Sequence, residues 1–204
     1  MTVTSLRASK KDLKRRTLLE VSDRLFHDNG YEATTLEEIC QLASVSMRTF
    51  FRYFESKQDL ALYENIQNVG RIRDLLLNWA AETDLIGQLQ ELYETLGAEV
   101  QADPRAWLRV RLLLQEPTLV ARSLLIDMDT ESRIALAFTR QWGDAANLQS
   151  RLLATLIVGA ARSALLCSVA DGDRPQLVLR ISQAFLFIRE SGLDKPRSNH
   201  SGPA

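Results

Sequence analysis

Apolar residues return every three or four positions along most of the chain, and no stretch sustains the alternation of a β-strand, which predicts an all-α protein of about nine helices. The first helix is expected over residues 11–28, burying Leu18, Val21, Leu25 and Phe26. Thr35 opens the second, with Glu38 three residues on as a capping-box partner and Leu36, Ile39, Cys40 and Ala43 forming its buried face. Ser44 and Val45 make a turn, Ser46 caps a third short helix, and Phe50 and Phe54, four apart, anchor it inward. Met47, Arg48, Thr49 and Arg52 are then left on its outer side.

Ser56 is expected to cap a long fourth helix reaching about residue 81, and Leu85, Leu89, Leu92 and Leu96 form the stripe of a fifth. Pro104, Pro117 and Pro175 stand where first helical turns tolerate them, ahead of runs to about residues 115, 142 and 191, with a further helix over 148–170. This divides the chain into a basic arm and helix-turn-helix (1–55), a helical effector-binding and dimerisation domain (56–192) and a disordered tail (193–204).

A generic αα-corner would show the periodicity of residues 34–57 equally well. The outer residues distinguish a DNA reader: a short helix held by apolar pegs, with arginine and hydroxyl groups exposed, fits a B-DNA major groove, and the guanidinium fork matches guanine O6 and N7. Preceded by Asn29, Gly30 and Tyr31 and ending in Phe54, Glu55, Ser56 and Lys57, the segment resembles the DNA-binding domain of the TetR family of one-component bacterial regulators over residues 17–63. The sequence departs from that pattern at Ser44, where glycine is usual, and at Phe51 and Tyr53, where tyrosine and histidine are common. Tyr53 must therefore supply the phosphate-contacting hydroxyl that position 51 lacks. The resemblance implies phosphate clamps at Thr34, Tyr53 and Lys57, beside the caps Thr35 and Ser46, with Met47, Arg48, Thr49 and Arg52 as base readers. It also implies a repressor that binds a palindromic double-stranded operator as a homodimer and is released by a small hydrophobic effector. The run 109–125 resembles actinobacterial members thought to sense acyl-CoA-like ligands.

Charge adds one asymmetry. Arg7, Lys10, Lys11, Lys14, Arg15 and Arg16, against Asp12 alone, crowd the first 16 residues of a chain whose net charge is −1. Such a tail is suited to phosphates beside a groove-reading helix, and is equally a solvated terminus. The polar N-terminus has no apolar leader region, and residues 152–161 are too short to cross a bilayer, so a cytoplasmic protein is expected.

In the second domain the penultimate helix is apolar around most of its circumference. Small residues there and a matching stripe on the last helix place an expected dimer interface at Leu156, Ala160, Ala164, Ile181, Phe185 and Ile188. Trp79, Trp107, Leu112, Met128, Phe138 and Trp142 are candidates for an effector pocket or, equally, for plain core. Cys40 and Cys167 read as small buried hydrophobes. The only histidines, His27 and His200, form no metal pair, and there is neither a nucleophile–base set nor a Gly-rich phosphate loop, so no enzyme and no cofactor are expected. The competing reading is a helical protein–protein adaptor, which leaves Arg48, Arg52, Tyr53 and Lys57 without a task.

Overall fold

The computed structural model describes residues 3–80 and 83–195, with side chains from 12 onward except at 145. The basic side chains of Arg7, Lys10 and Lys11, and the tail beyond 195, therefore lie outside the described residues. Among the described residues there are ten α-helices, two 3-10 turns and no strands, which bears out the all-α expectation. The chain divides into two compact units: Met1–Asn65 with Leu108–Ser123, and Ile66–Trp107 with Leu124–Ala204. This division differs from the expected break at 55/56, since the first unit runs on to residue 65 and takes in a second segment.

In the first unit, α1 (Val3–Asn29) begins eight residues before the expected start at residue 11, in a run where good helix formers such as Leu6, Ala8 and Lys10 carry no apolar period. It stops at Gly30, whose φ of +86° only glycine adopts readily. α2 (Leu36–Leu42) and α3 (Met47–Phe50) follow, and α4 (Lys57–Ala61) breaks at Leu62 before α5 (Tyr63–Asn78) begins. The pattern alone predicts one long helix there. Leu60 and Leu62, on either side of α4's last turn, are both fully buried, and the Leu62 N–H still bonds the Gln58 carbonyl at 2.8 Å, so the chain leaves the helix only after Leu62. Leu18, Phe26, Tyr31, Ile39, Phe50, Phe54 and Leu119 complete that core. The segment 108–123 is tied to α1 by Arg109 and Asp23, a half-buried ion pair at 2.7 Å.

The second unit holds most of α5, then α6 (Leu85–Ala102), α7 (Pro104–Gln115) as far as Trp107, α8 (Pro117–Trp142) from Leu124, α9 (Asn147–Ala170) and α10 (Leu177–Glu190). Asp84 caps α6 by accepting from the Gly87 N–H at 3.0 Å, and Arg189 at 3.1 Å braces the same carboxylate. α10 packs against both α9 and α6. The approach to α6 is closest at Gly97, where a Cβ would sit 2.5 Å from the Ile181 Cδ1 atom. α9, at 24 residues with a hydropathy of 1.9 over its most apolar window, is long and apolar enough to cross a membrane by length and composition, which corrects the expectation drawn from residues 152–161 alone. Its inner positions Leu153, Ala154, Ile157, Val158 and Ala161 are nevertheless buried in the unit's own core, as a central bundle helix requires.

Candidate nucleic-acid interface

The helix-turn-helix is assembled by local hydrogen bonds that the sequence encodes directly. Thr35 and Glu38 form the full capping box: the Thr35 hydroxyl accepts from the Glu38 N–H at 3.2 Å while the Glu38 carboxylate accepts from the Thr35 N–H at 2.8 Å. The Thr35 N–H and, second, the Thr35 hydroxyl, which donates to the same carboxylate at 2.9 Å, hold the Glu38 carboxyl below its ordinary range. At the turn, Ser44 takes φ +53°, the only positive φ on a non-glycine among the described residues. The left-handed conformation that glycine usually supplies is thus present here and is borne by serine. Ser46 then caps α3, accepting from the Thr49 N–H at 3.2 Å and donating to the Thr49 hydroxyl at 3.0 Å.

α3 presents one outer face. Phe50 and, in the turn that follows α3, Phe54 are buried at 0% and 4% exposure, while Arg48 on α3 and Phe51 and Arg52 just after it are all exposed. The Arg52 guanidinium lies 5.2 Å from the centre of the Tyr53 ring and donates to its hydroxyl at 3.2 Å, so the two side chains are presented as a stacked pair. Thr49 is half-buried, its hydroxyl engaged by Ser46.

Three expected contacts change character. Thr34 is 1% exposed and its hydroxyl lies within hydrogen-bonding distance of the carbonyls of Leu25 and Gly30, at 3.2 and 2.7 Å, closing the end of α1 rather than facing a phosphate. The Lys57 ammonium donates to the carbonyls of Tyr31 at 2.8 Å, Thr34 at 2.9 Å and, more weakly, Glu32 at 3.4 Å, which occupies its three protons inside the unit. Met47 turns back toward α2, its sulfur 3.4 Å from the Cys40 Sγ. In all three, acceptors or apolar atoms within the fold compete with solvent for the side chain, and spacing alone does not reveal them. Phe51 is not among the expected readers, although its place three residues after Arg48, out of step with the inward pair Phe50 and Phe54, is a signal present in the sequence.

In the second unit Trp107 and Phe138 belong to the buried core, Trp79 and Trp142 pack against it, and the Phe138 and Trp142 rings stack 4.9 Å apart. Leu112 falls in the first unit and Met128 is 61% exposed, so the six candidate ligand residues do not line one cavity within a unit. A half-open groove of about 450 Å³ lies between α5 and α8, lined by Ile66, Gly70, Arg71, Arg73, Asp129 and Arg133 among others, and by none of those six. The expected dimer positions also need correction. Ala164, Ile181, Phe185 and Ile188 are buried in the chain's own core and Ala160 is half-buried; of the six only Leu156, at 41%, is exposed. The outward stripe of α9 is instead Leu148, Leu152, Leu156 and Leu166, and that of α10 is Leu179, Leu186 and Phe187. Both helices are apolar on two sides, and periodicity does not say which side meets α6. Cys40 is buried as expected, whereas Cys167 is exposed. Burial also pushes the Asp127 carboxyl up, against the opposing pull of Arg162 at 2.6 Å.

An all-α chain with a capped helix-turn-helix near its amino end and a separate helical unit has the build of a DNA-binding regulator. The family pattern of bacterial regulatory proteins, tetR family, matches residues 18–63, and that of the MftR C-terminal domain matches residues 89–191. The chain belongs to the TetR family of transcriptional regulators, which is not an enzyme class. It is 44% identical over 57 residues to the transcriptional regulator TcmR of Streptomyces glaucescens, a match spanning 28% of this chain and 25% of that protein. It is 24% identical over 147 residues, 71% of this chain and 74% of the relative, to MftR of Mycobacterium tuberculosis, a protein named for transcriptional regulation of mycofactocin biosynthesis. Solved structures share the fold. SmeT of Stenotrophomonas maltophilia, in its complex with triclosan, aligns with a TM-score of 0.68 at 14% identity over 94% of this chain and 99% of that one. TylP, a tetR regulator of Streptomyces fradiae, aligns at 0.63 and 19% identity over 91% and 81%.

Proposed function

We propose that the protein is a transcriptional repressor that binds a palindromic operator as a two-fold dimer and leaves it when a small hydrophobic ligand binds the second unit. The observation that carries this reading is the outer face of α3, where Arg48 and Arg52, the latter stacked on Tyr53, stand exposed above the buried pegs Phe50 and Phe54. Cationic forks on a braced short helix suit guanine edges in the major groove. One such helix reads few base pairs, so two-fold repetition is needed for useful specificity. The exposed leucines of α9 and the Leu179, Leu186 and Phe187 stripe of α10 support self-association through a four-helix interface. Binding to DNA implies a cytoplasmic protein.

Release requires a ligand that prefers the non-binding conformation. SmeT is solved in complex with triclosan, and a fatty acid degradation regulator of Bacillus halodurans aligns with a TM-score of 0.62 at 16% identity. The triclosan complex supports an apolar effector here, and acyl-CoA-like molecules are the class proposed. A guest seated among Trp79, Trp107, Phe138 and Trp142 would have to displace part of that packed set.

The test is footprinting of the purified protein on genomic fragments upstream of its own gene and its neighbours, across a salt series, followed by candidate ligands. Protected two-fold sites whose affinity falls with salt support the reading. Indifference to every duplex at low salt overturns it.

A further inference from the structure

Resting on that DNA-binding reading, we propose that Phe51 is a specificity-determining residue that reads the C5-methyl group of one thymine in each operator half-site. Three observations lead to it. First, Phe51 is 54% exposed, one turn after the exposed Arg48 and next to the exposed Arg52, while its neighbour Phe50 is completely buried. Second, the Phe51 ring meets the Phe50 ring edge-on, centroids 5.4 Å apart at 87°, so it leans on a buried core residue. Third, two of the outward residues expected to read bases are committed elsewhere, Met47 to Cys40 and the Thr49 hydroxyl to Ser46, which leaves Arg48, Phe51 and Arg52 as the side chains at the front.

A phenyl ring has no donor or acceptor, so it is blind to the hydrogen-bond code of the base edges. The one apolar feature that distinguishes base pairs in the major groove is the thymine methyl, and phenylalanine is among the side chains that contact it. The arginines flanking Phe51 supply hydrogen bonds to guanine and the ring supplies the complementary apolar selection beside them. A tyrosine at this position would carry a hydroxyl able to reach a phosphate, and Phe51 has none to offer.

The experiment uses the full chain and the tightest duplex recovered by selection from a random-sequence library. Each thymine is replaced in turn by deoxyuridine, which removes the methyl group alone, and affinity is read by fluorescence anisotropy. The wild-type protein should lose about fourfold at one symmetric position per half-site, the worth of a single buried methyl-sized group. Phe51→Ala should bind the unmodified duplex more weakly and be indifferent to uridine at that position, while Phe51→Tyr, which keeps the ring, should retain the methyl dependence. Circular dichroism melting of each variant establishes that the fold is intact. If no position in the wild-type complex depends on a methyl group, or if the dependence survives in Phe51→Ala, the assignment of Phe51 is overturned although DNA binding stands. Failure of the wild-type protein to select any duplex overturns the underlying reading and this inference with it.

Discussion

The Lys57 ammonium lies 4.3 Å from the centre of the Tyr31 ring and donates at 2.8 Å to the carbonyl of the same residue, 26 positions earlier in the chain. One side chain thereby pins the start of α4 to the loop that follows α1. The Tyr31 hydroxyl is pushed up to about 12 by burial, with Glu32, Glu116 and Asp59 adding to the effect, so the ring stays neutral under the cation.

Lys57→Ala should therefore act on stability. Hydrogen bonds to a charged group contribute about 1.5–3 kcal/mol and the cation–π contact about 0.5–1, so a loss of about 2 kcal/mol is expected in urea unfolding. A phosphate clamp would behave differently: unfolding would stay put and the salt slope of DNA binding would fall by about one.

Arg48 stands exposed on α3, directed away from the core that Phe50 enters. Arg48→Ala should cost about 1–3 kcal/mol on the operator and relax preference at one base position, with thermal unfolding unchanged. Equal loss on operator and random duplexes would make it a backbone contact instead.

Ser44 carries φ +53° in the turn between α2 and α3. A left-handed residue other than glycine costs about 1–2 kcal/mol, part of which Ser44→Gly recovers, so the denaturation midpoint should rise by the equivalent of about 1 kcal/mol. An unchanged or lower midpoint would show that the serine is unstrained there.

Phe187 and Leu186 are 70% and 54% exposed on the outer stripe of α10. Burying one Phe is worth about 1.5–3 kcal/mol, so Phe187→Glu should weaken self-association by at least about tenfold in sedimentation experiments and lower operator affinity in parallel. Retention of the dimer would move the interface elsewhere.

Glu38 has its carboxyl held down by the Thr35 hydrogen bonds, backbone first and side chain second. A depressed folded-state value means that the contribution is present above the ordinary value of 4.5 and is lost as pH falls through the lower folded value. Acid unfolding followed by circular dichroism should begin at higher pH in wild type than in Glu38→Gln once both are normalised to their stability at neutral pH.

Much of this architecture is legible in the chain because it is written in short-range chemistry. The capping box at Thr35 and Glu38, the cap at Ser46, the inward pair Phe50 and Phe54, and the helix starts at Pro104 and Pro117 each depend on neighbours within four residues. What is not legible depends on partners far away in sequence. Lys57 is occupied by carbonyls more than 20 positions back, and nothing in the local spacing marks the break at Leu62. α9 and α10 carry apolar side chains on two sides, so by spacing alone Ile181 and Phe185 look as available to a second subunit as Leu186 and Phe187 do. The side of α10 that turns inward meets α6, where Ile181 packs on Gly97.

The compact unit that contains the recognition helix also contains residues 108–123, with Leu119 wholly enclosed and Arg109 joined to Asp23. The reader of this protein is consequently not a portable cassette. A chimera that transplants only the first 65 residues onto a foreign regulator would strip Asp23 of its Arg109 partner and discard the leucine that closes the core, so a working graft must carry the discontinuous corner along with it.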